Sequence, residues 1–281
     1  MQELRGKVAV ITGAASGMGR AFADRFAAEG MKVVLADVEG EALTRAVAEL
    51  RADGAEVSGL RTDVARLADV EALRDHALDA FGALHVVCNN AGVSGGSILD
   101  SPMEIWQWVV GVNLWGVIHG CHVFLPLLLE QDEGHVVNTA SLAGLGGAPG
   151  LGVYCTTKFA VVGLSESLYH DLAARGSKVG VSVLCPGFVQ TRIHESHRNM
   201  PDDVRAAVPP GSDEEAEAQR AVIALGIPPE DVAAQVLHAV TEPRFYVLPH
   251  PRAARGAMES RLAWMDENVP AELDLEALFR P

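Results

Sequence analysis

The sequence has little with which to build covalent or metal cross-links. Its four cysteines, at positions 88, 121, 155 and 185, include no CxxC pair. Three of them lie in apolar surroundings typical of buried thiols, so neither disulfides nor zinc are expected. The ten histidines are scattered without HExxH or comparable ligand spacing, and no metal site is expected. Positive charge is also short. With 22 Lys+Arg against 37 Asp+Glu, the net charge of −15 repels polyanions and argues against nucleic acid as a partner. Long apolar runs are missing too: residues 123–129 are interrupted by Pro126 and are far too short to span a bilayer. The first seven residues carry no signal- or transit-peptide pattern, so a soluble, cytoplasmic protein with no membrane association is expected. Without internal repeats or a linker, the 281 residues, 49% hydrophobic, read as a single domain with a full core.

What is present is a regular alternation. Val/Ile/Leu-rich runs at residues 8–12, 32–36, 56–61, 84–89, 135–139 and 180–185 alternate with helical patterns. The helices start near Gly17, span 40–52 and 67–81, start again near Pro102, and span 153–174. Strands without polar alternation are buried on both faces. The predicted fold is α/β: a single-domain, Rossmann-type, doubly wound parallel sheet with helices on both faces. Leu67, Val70, Leu73, Ala77, Leu78 and Phe81 recur at helical spacing and predict a core-facing stripe. Residues 191–228 are polar, acidic and proline-bearing, with a helix-prone run at 212–225, and read as a mobile substrate flap. A helix at 229–240 and a strand at 244–248 resume the sheet. Residues 252–281 form a C-terminal tail with a helix ending near Met265.

The first strand runs into its helix through Thr12-Gly13-Ala14-Ala15-Ser16-Gly17-Met18-Gly19. Glycine there removes the side chain that would hold a pyrophosphate off the backbone, and the helix N-terminus offers free N–H groups. The spacing is GxxxGxG, not GxGxxG. Some twenty residues on, the second strand ends at Asp37, whose carboxylate can accept ribose hydroxyls; capping the following helix is its alternative use. Ala36, Val38 and Glu39 supply no cation for a 2′-phosphate, and Arg20 is the only nearby base. NAD is the expected cofactor and NADP the lesser alternative.

Tyr154 and Lys158 are four apart on a helix and share a face. An ammonium beside a phenol stabilises the phenolate, and an oxidised nicotinamide adds to the effect. The phenol, with an ordinary pKa of about 10, is expected to fall toward working pH, where it can act as acid and base.

Other residues fall into line with this pair: Asn89-Asn90-Ala91-Gly92 after the fourth strand, Asn113 in the long helix, Ser141 after the fifth strand, and Pro186-Gly187 after the sixth. In order and spacing, residues 4–191 resemble the short-chain dehydrogenase/reductase family. The resemblance implies that Tyr154 exchanges the proton, that Lys158 lowers its pKa and binds the nicotinamide ribose, that Ser141 hydrogen-bonds the substrate oxygen, and that Asn113 anchors a proton relay. It further implies a cofactor groove. Gly13, Ser16, Gly17, Met18 and Gly19 would meet the pyrophosphate and Asp37 the ribose, with Asp63 and Val64 flanking the adenine. Asn90, Ala91 and Gly92 would line the groove, as would Pro186 and Gly187, while Val189 and Thr191 would hold the carboxamide. Asn89-Asn90 could instead be only a turn.

Two departures from the family pattern stand out: Met18, where isoleucine is frequent, and a last strand without the frequent glycine-rich ending, followed by an added tail. A homo-oligomer is implied. A dimer through the helices near Pro102 and Val153 would not need that ending, and a tetramer stays open.

The expected activity is NAD-dependent hydride transfer between a hydrophobic secondary alcohol and its ketone, of steroid, terpenoid or cyclic/aryl type. Gly95, Gly96, Ala143, Leu145, Leu151, Phe188, Ile193 and Met200 are candidates either for an apolar substrate wall or for core. The alternative is a non-catalytic NAD-sensing or interaction protein on the same fold, although Asn113, Ser141, Tyr154 and Lys158 are all retained.

Overall fold

The computed structural model describes residues 1–208 and 213–268. Strand and helix alternate from the start: β1 (Val8–Thr12), α1 (Gly17–Ala28), β2 (Lys32–Asp37), α2 (Gly40–Ala52), β3 (Val57–Arg61), α3 (Leu67–Phe81) and β4 (Val86–Asn89). Then come α4 (Met103–Val110), a π-helical turn (Gly111–Trp115), α5 (Gly116–Gln131), β5 (His135–Thr139), α6 (Gly152–Ala174) and β6 (Gly180–Leu184). After β6 follow a 3-10 helix (Ile193–Asn199), α7 (Asp202–Ala207), α8 (Asp213–Ala224), α9 (Pro229–Thr241), β7 (Tyr246–Val247) and α10 (Pro251–Glu267).

Among the described residues seven strands form one parallel sheet in the order β3-β2-β1-β4-β5-β6-β7. Alternate residues of each strand enter opposite layers. Ala9, Ile11, Val33 and Leu35 pack with Phe22 and Phe26 of α1 and Val236 of α9, whereas Val8, Val10, Val34 and Val87 pack with Phe124 of α5 and Val161 of α6. Burial on both faces explains the nearly unbroken Val/Ile runs. The chain winds outward from β1 in one direction and from β4 in the other. That reversal opens a crevice beyond the carboxyl ends of these two strands.

Several expectations are adjusted. The strand at 244–248 shrinks to two residues, because β7 is the sheet edge and pairs only through Val183 with Tyr246 and Leu184 with Val247. Leu67 opens α3 and is exposed, so the buried stripe is Val70, Leu73 and Ala77. Pro126 does not interrupt α5: Pro126 and His122, whose carbonyl loses its partner, both lie on the exposed face, so the helix buries no unpaired group there. The continuous helical stretch Met103–Gln131 is by length and composition able to cross a membrane. Its apolar residues Val109, Val117, Val123, Phe124 and Leu128 are instead buried in the core. The helix-prone run begins at Asp213, Ser212 lying outside the described residues. The tail helix extends to Glu267, and the tail from 269 to 281 also lies outside them.

Candidate active site

A cavity of about 990 Å³ opens at the crevice, and its wall contains most of the expected site residues. Its volume suits a dinucleotide together with a small organic molecule. Gly13 and Gly17 take positive φ values of 65° and 54°, which glycine adopts without strain. Ser16, Gly17 and Met18 face the cavity, and the Ser16 side chain does not cap the α1 N-terminus. Its free N–H groups therefore point at the crevice. Met18 also packs on the α1-side core. Gly19 is not in the cavity wall: a Cβ there would collide with the Gly13 carbonyl oxygen and lie 2.7 Å from Asn90 Nδ2. Its part is helix–strand packing behind the turn, in place of the expected cofactor contact.

The ends of β1, β4 and β5 are tied by one polar network. Thr12 Oγ1 accepts the N–H groups of Asn90 (2.9 Å) and Ala91 (3.0 Å), Asn90 Nδ2 donates to the Thr12 carbonyl at 3.0 Å, and Thr139 Oγ1 donates to Asn90 Oδ1 at 3.3 Å. Asn90, Ala91 and Gly92 line the cavity, as do Asp63 and Val64. Asn89 faces the core instead, donating to Asn138 Oδ1 at 2.9 Å.

Asp37 is buried at the end of β2, where its carboxylate accepts Ala15 N–H (2.9 Å) and Glu39 N–H (3.0 Å) while facing the cavity. It thus braces the glycine turn and the entry to α2 at once. Burial raises its pKa above the ordinary carboxylate range, and the two backbone bonds offset part of the shift.

Tyr154 and Lys158 stand on one face of α6. Lys158 is 3% exposed; its Nζ donates to the Thr139 carbonyl at 2.9 Å and lies 5.4 Å from the Tyr154 ring centroid. Burial pulls the Lys158 ammonium down to about 8. The Tyr154 phenol does not fall toward working pH on protein groups alone: burial pushes it up to about 12, and a hydrogen bond with Ser141 works the other way. Desolvation of the phenolate outweighs that one bond. Ser141 Oγ accepts Ala143 N–H (3.1 Å) and donates to the Pro186 carbonyl at 3.3 Å, fixing the serine and the Pro186-Gly187 turn together.

Asn113 is fully buried in the π turn, outside the cavity wall. From that turn Asn113 meets both backbone polar groups of Val93: Oδ1 accepts its N–H at 2.8 Å and Nδ2 donates to its carbonyl at 2.9 Å. A Cβ at Gly92 would lie 3.5 Å from Asn113 Oδ1 and 3.6 Å from Lys158 Nζ, so glycine keeps the space before both groups clear. The uncapped N–H groups, the buried Asp37 and this clearance fit a nicotinamide dinucleotide.

The segment after β6 supplies residues that sequence reasoning missed. Pro186, Gly187, Val189 and Thr191 line the cavity as expected, with Thr191 against Gly17. Beyond them the Ile193–Asn199 helix crosses the crevice as a strap. Ser196 Oγ accepts Ser94 N–H at 2.9 Å, while Arg198 and Asn199 both bond Glu39 Oε1. Burial alone would raise the Glu39 carboxyl, but Asn199 and Arg198 hold it below the usual range. His194, in the cavity wall, buries both ring nitrogens; among the described residues neither has a hydrogen-bond partner, and Nε2 lies 3.6 Å from Glu195 Oε1.

From the other side His250 Nδ1 accepts Gly187 N–H at 3.0 Å, and Ala253, Gly256, Ala257 and Ser260 of α10 join the wall. Of the proposed wall residues, Ala143, Leu151, Phe188 and Ile193 face the cavity. Leu145 belongs to the core and Met200 packs against the small cluster around Val109. Gly95 and Gly96 instead give passage to Tyr154 N and Ser101 Oγ.

The family model for short chain dehydrogenase matches residues 7–202. A crystal structure of a short chain dehydrogenase/reductase from Burkholderia phymatum, in complex with NAD, is 48% identical in sequence; the match covers 97% of this chain and 98% of that one with a TM-score of 0.91. The 1-deoxy-11-beta-hydroxypentalenate dehydrogenase of Streptomyces exfoliatus is 39% identical over 89% of this chain and 85% of its own length. The C alpha-dehydrogenase of Sphingobium sp. is 32% identical over 98% and 91%, respectively.

Proposed function

The chain belongs to the short-chain dehydrogenase family, and from that premise we propose that it is an NAD-dependent oxidoreductase interconverting a hydrophobic secondary alcohol and its ketone, with Tyr154 as acid/base. An oxidoreductase with a nicotinamide cofactor follows from family membership; the alcohol class, the preference for NAD and the residue roles are our reading. The observation that carries it is the convergence of Ser141, Tyr154 and Lys158 in the wall of one cavity with the glycine turn and Asp37.

Bound nicotinamide supplies or accepts the hydride. The chain's residues do the rest. The α1 N-terminus and the glycine turn hold the pyrophosphate, Asp37 accepts the ribose hydroxyls, and the Pro186-Gly187 turn with Val189 and Thr191 seats the nicotinamide end. Ser141 hydrogen-bonds the substrate oxygen and steadies charge developing there. In oxidation the Tyr154 phenolate takes the hydroxyl proton; in reduction the phenol returns it to the carbonyl oxygen. Lys158 favours the phenolate, and Asn113 positions the Val93 peptide and the space beside Lys158 from which a proton relay would start.

Trp108, Leu151, Phe188, Ile193 and Val204 in the cavity wall support a mainly apolar substrate of steroid, terpenoid or cyclic/aryl type. The name of the Streptomyces exfoliatus relative, a dehydrogenase of a hydroxy compound, supports the alcohol. Trp115 and Met103, exposed on the long helix, support a homo-oligomer, and four free buried thiols suit the reducing cytoplasm. The test is NADH formation at 340 nm on a panel of hydrophobic secondary alcohols, with NAD against NADP. Turnover with NAD supports the reading. A silent panel despite tight NADH binding would shift the weight to an NAD-sensing protein.

A further inference from the structure

Resting on the NAD preference just proposed, a second carboxylate beside the cofactor groove has its own part. Asp37, Val38, Glu39, Arg198 and Asn199 share one end of the cavity wall. Arg198 is brought there across 159 residues of sequence; its Nε donates to Glu39 Oε1 at 2.8 Å, and its second terminal nitrogen lies 2.7 Å from the same oxygen. Asn199 Nδ2 donates to that oxygen as well, at 2.9 Å. A further guanidinium nitrogen of Arg198 donates to the Arg192 carbonyl at 3.0 Å, so the ion pair also pins the strap.

The other nearby cations are committed elsewhere. Arg20 is held by Asp24 (2.8 Å) and Glu49 (2.6 Å), Arg61 donates to the Val38 carbonyl at 3.0 Å, and Arg192 pairs with Glu195 at 2.7 Å. Arg192 also lines the cavity, its charge met by Glu195, so among the described residues Arg198 is the cavity-wall guanidinium that Glu39 neutralises. With Asp37 ionised, the three side chains sum to one negative charge where a 2′-phosphate would sit.

We propose that Glu39 is a specificity-determining residue for the cofactor: by holding Arg198 it denies a 2′-phosphate that guanidinium and keeps the ribose end negative. The dinucleotide without that phosphate meets no such penalty. Removing the Glu39 charge leaves Asp37 in place and frees Arg198, so the local sum rises from −1 to 0. Removing Arg198 instead lowers it to −2, and removing both restores −1.

The experiment is titration of NADH and NADPH by fluorescence against the full chain and the variants Glu39→Gln, Arg198→Met and the double variant, with a cofactor-free thermal melt to verify folding. The readout is the ratio of the two dissociation constants, in which any general loosening of the strap cancels. From the unit charge changes, the preference for NADH is expected to fall about tenfold in Glu39→Gln, rise about tenfold in Arg198→Met, and return near the unsubstituted value in the double variant. A change under about threefold in Glu39→Gln, or shifts of the same sign in the two single variants, overturns the proposal. A chain without substitutions that already binds NADPH as tightly as NADH would contradict the proposed NAD preference, while the signs of the variant shifts would still decide the part played by Glu39.

Discussion

Adding one methyl group at each of two glycines should separate the fold from the site. At Gly19 a Cβ would run into the Gly13 carbonyl oxygen, a backbone atom, and stand 2.7 Å from Asn90 Nδ2. Alanine is worth about 1 kcal/mol over glycine inside a helix. Overpacking typically costs about 1–3 kcal/mol and sometimes more, and a fixed backbone atom puts this case at or above the upper end. Gly19→Ala should therefore lose about 2 kcal/mol net, lowering Tm by roughly 4–8 °C for a domain of this size. At Gly92 the nearest atoms to an added Cβ are at 3.5 and 3.6 Å, ordinary contacts. Gly92→Ala should keep stability within about 0.5 kcal/mol, yet place a methyl before Lys158 and Asn113 and weaken NADH binding about tenfold or more. Thermal unfolding by circular dichroism and NADH fluorescence titration read the two effects. A Gly19→Ala protein as stable as its parent, or a Gly92→Ala protein that binds NADH normally, would refute the packing read from these positions.

Other outcomes follow from the same geometry. His250→Leu removes the acceptor of the part-buried Gly187 N–H; loss of one such bond costs about 0.5–1.5 kcal/mol, expected as a weaker NADH affinity that His250→Gln partly restores, and calorimetric titration that finds no change in either variant would refute it. In oxidation Tyr154 must be ionised and in reduction protonated, so kcat/KM for the alcohol should rise with pH and that for the ketone fall. Because Lys158, titrating near 8, is an ammonium at neutral pH, Lys158→Met should move the alcohol rise to higher pH; an unmoved profile would exclude coupling within the pair.

The parts of the fold legible in the sequence are those where one physical signal dominates. Residues 40–52 and 67–81 carry helical patterns that α2 and α3 occupy end to end, and β1 and β5 lie on apolar runs buried on both faces. Where signals compete, the pattern misleads. Leu67 satisfies helical spacing but opens the first turn of α3, where it is exposed. Residues 244–248 have strand composition, but an edge position gives them only two paired residues. Leu145 and Met200 are as apolar as Leu151 and Ile193, and only tertiary placement sorts core from wall. Tyr154 and Lys158 stood out by their four-residue spacing and Ser141 through the family resemblance, and all three line one cavity. The Glu39–Arg198 pair and the contact of His250 with Gly187 were not, because they join segments 159 and 63 residues apart with no local signature.

The most direct measurement is NAD reduction at 340 nm by the unsubstituted chain and by Tyr154→Phe on the same secondary alcohol, with NADH affinity measured in parallel. Loss of the phenolic hydroxyl should reduce kcat by about 10²–10⁴-fold while leaving NADH affinity within about threefold. Turnover by Tyr154→Phe within about tenfold of the parent would contradict the assignment of Tyr154 as the acid/base.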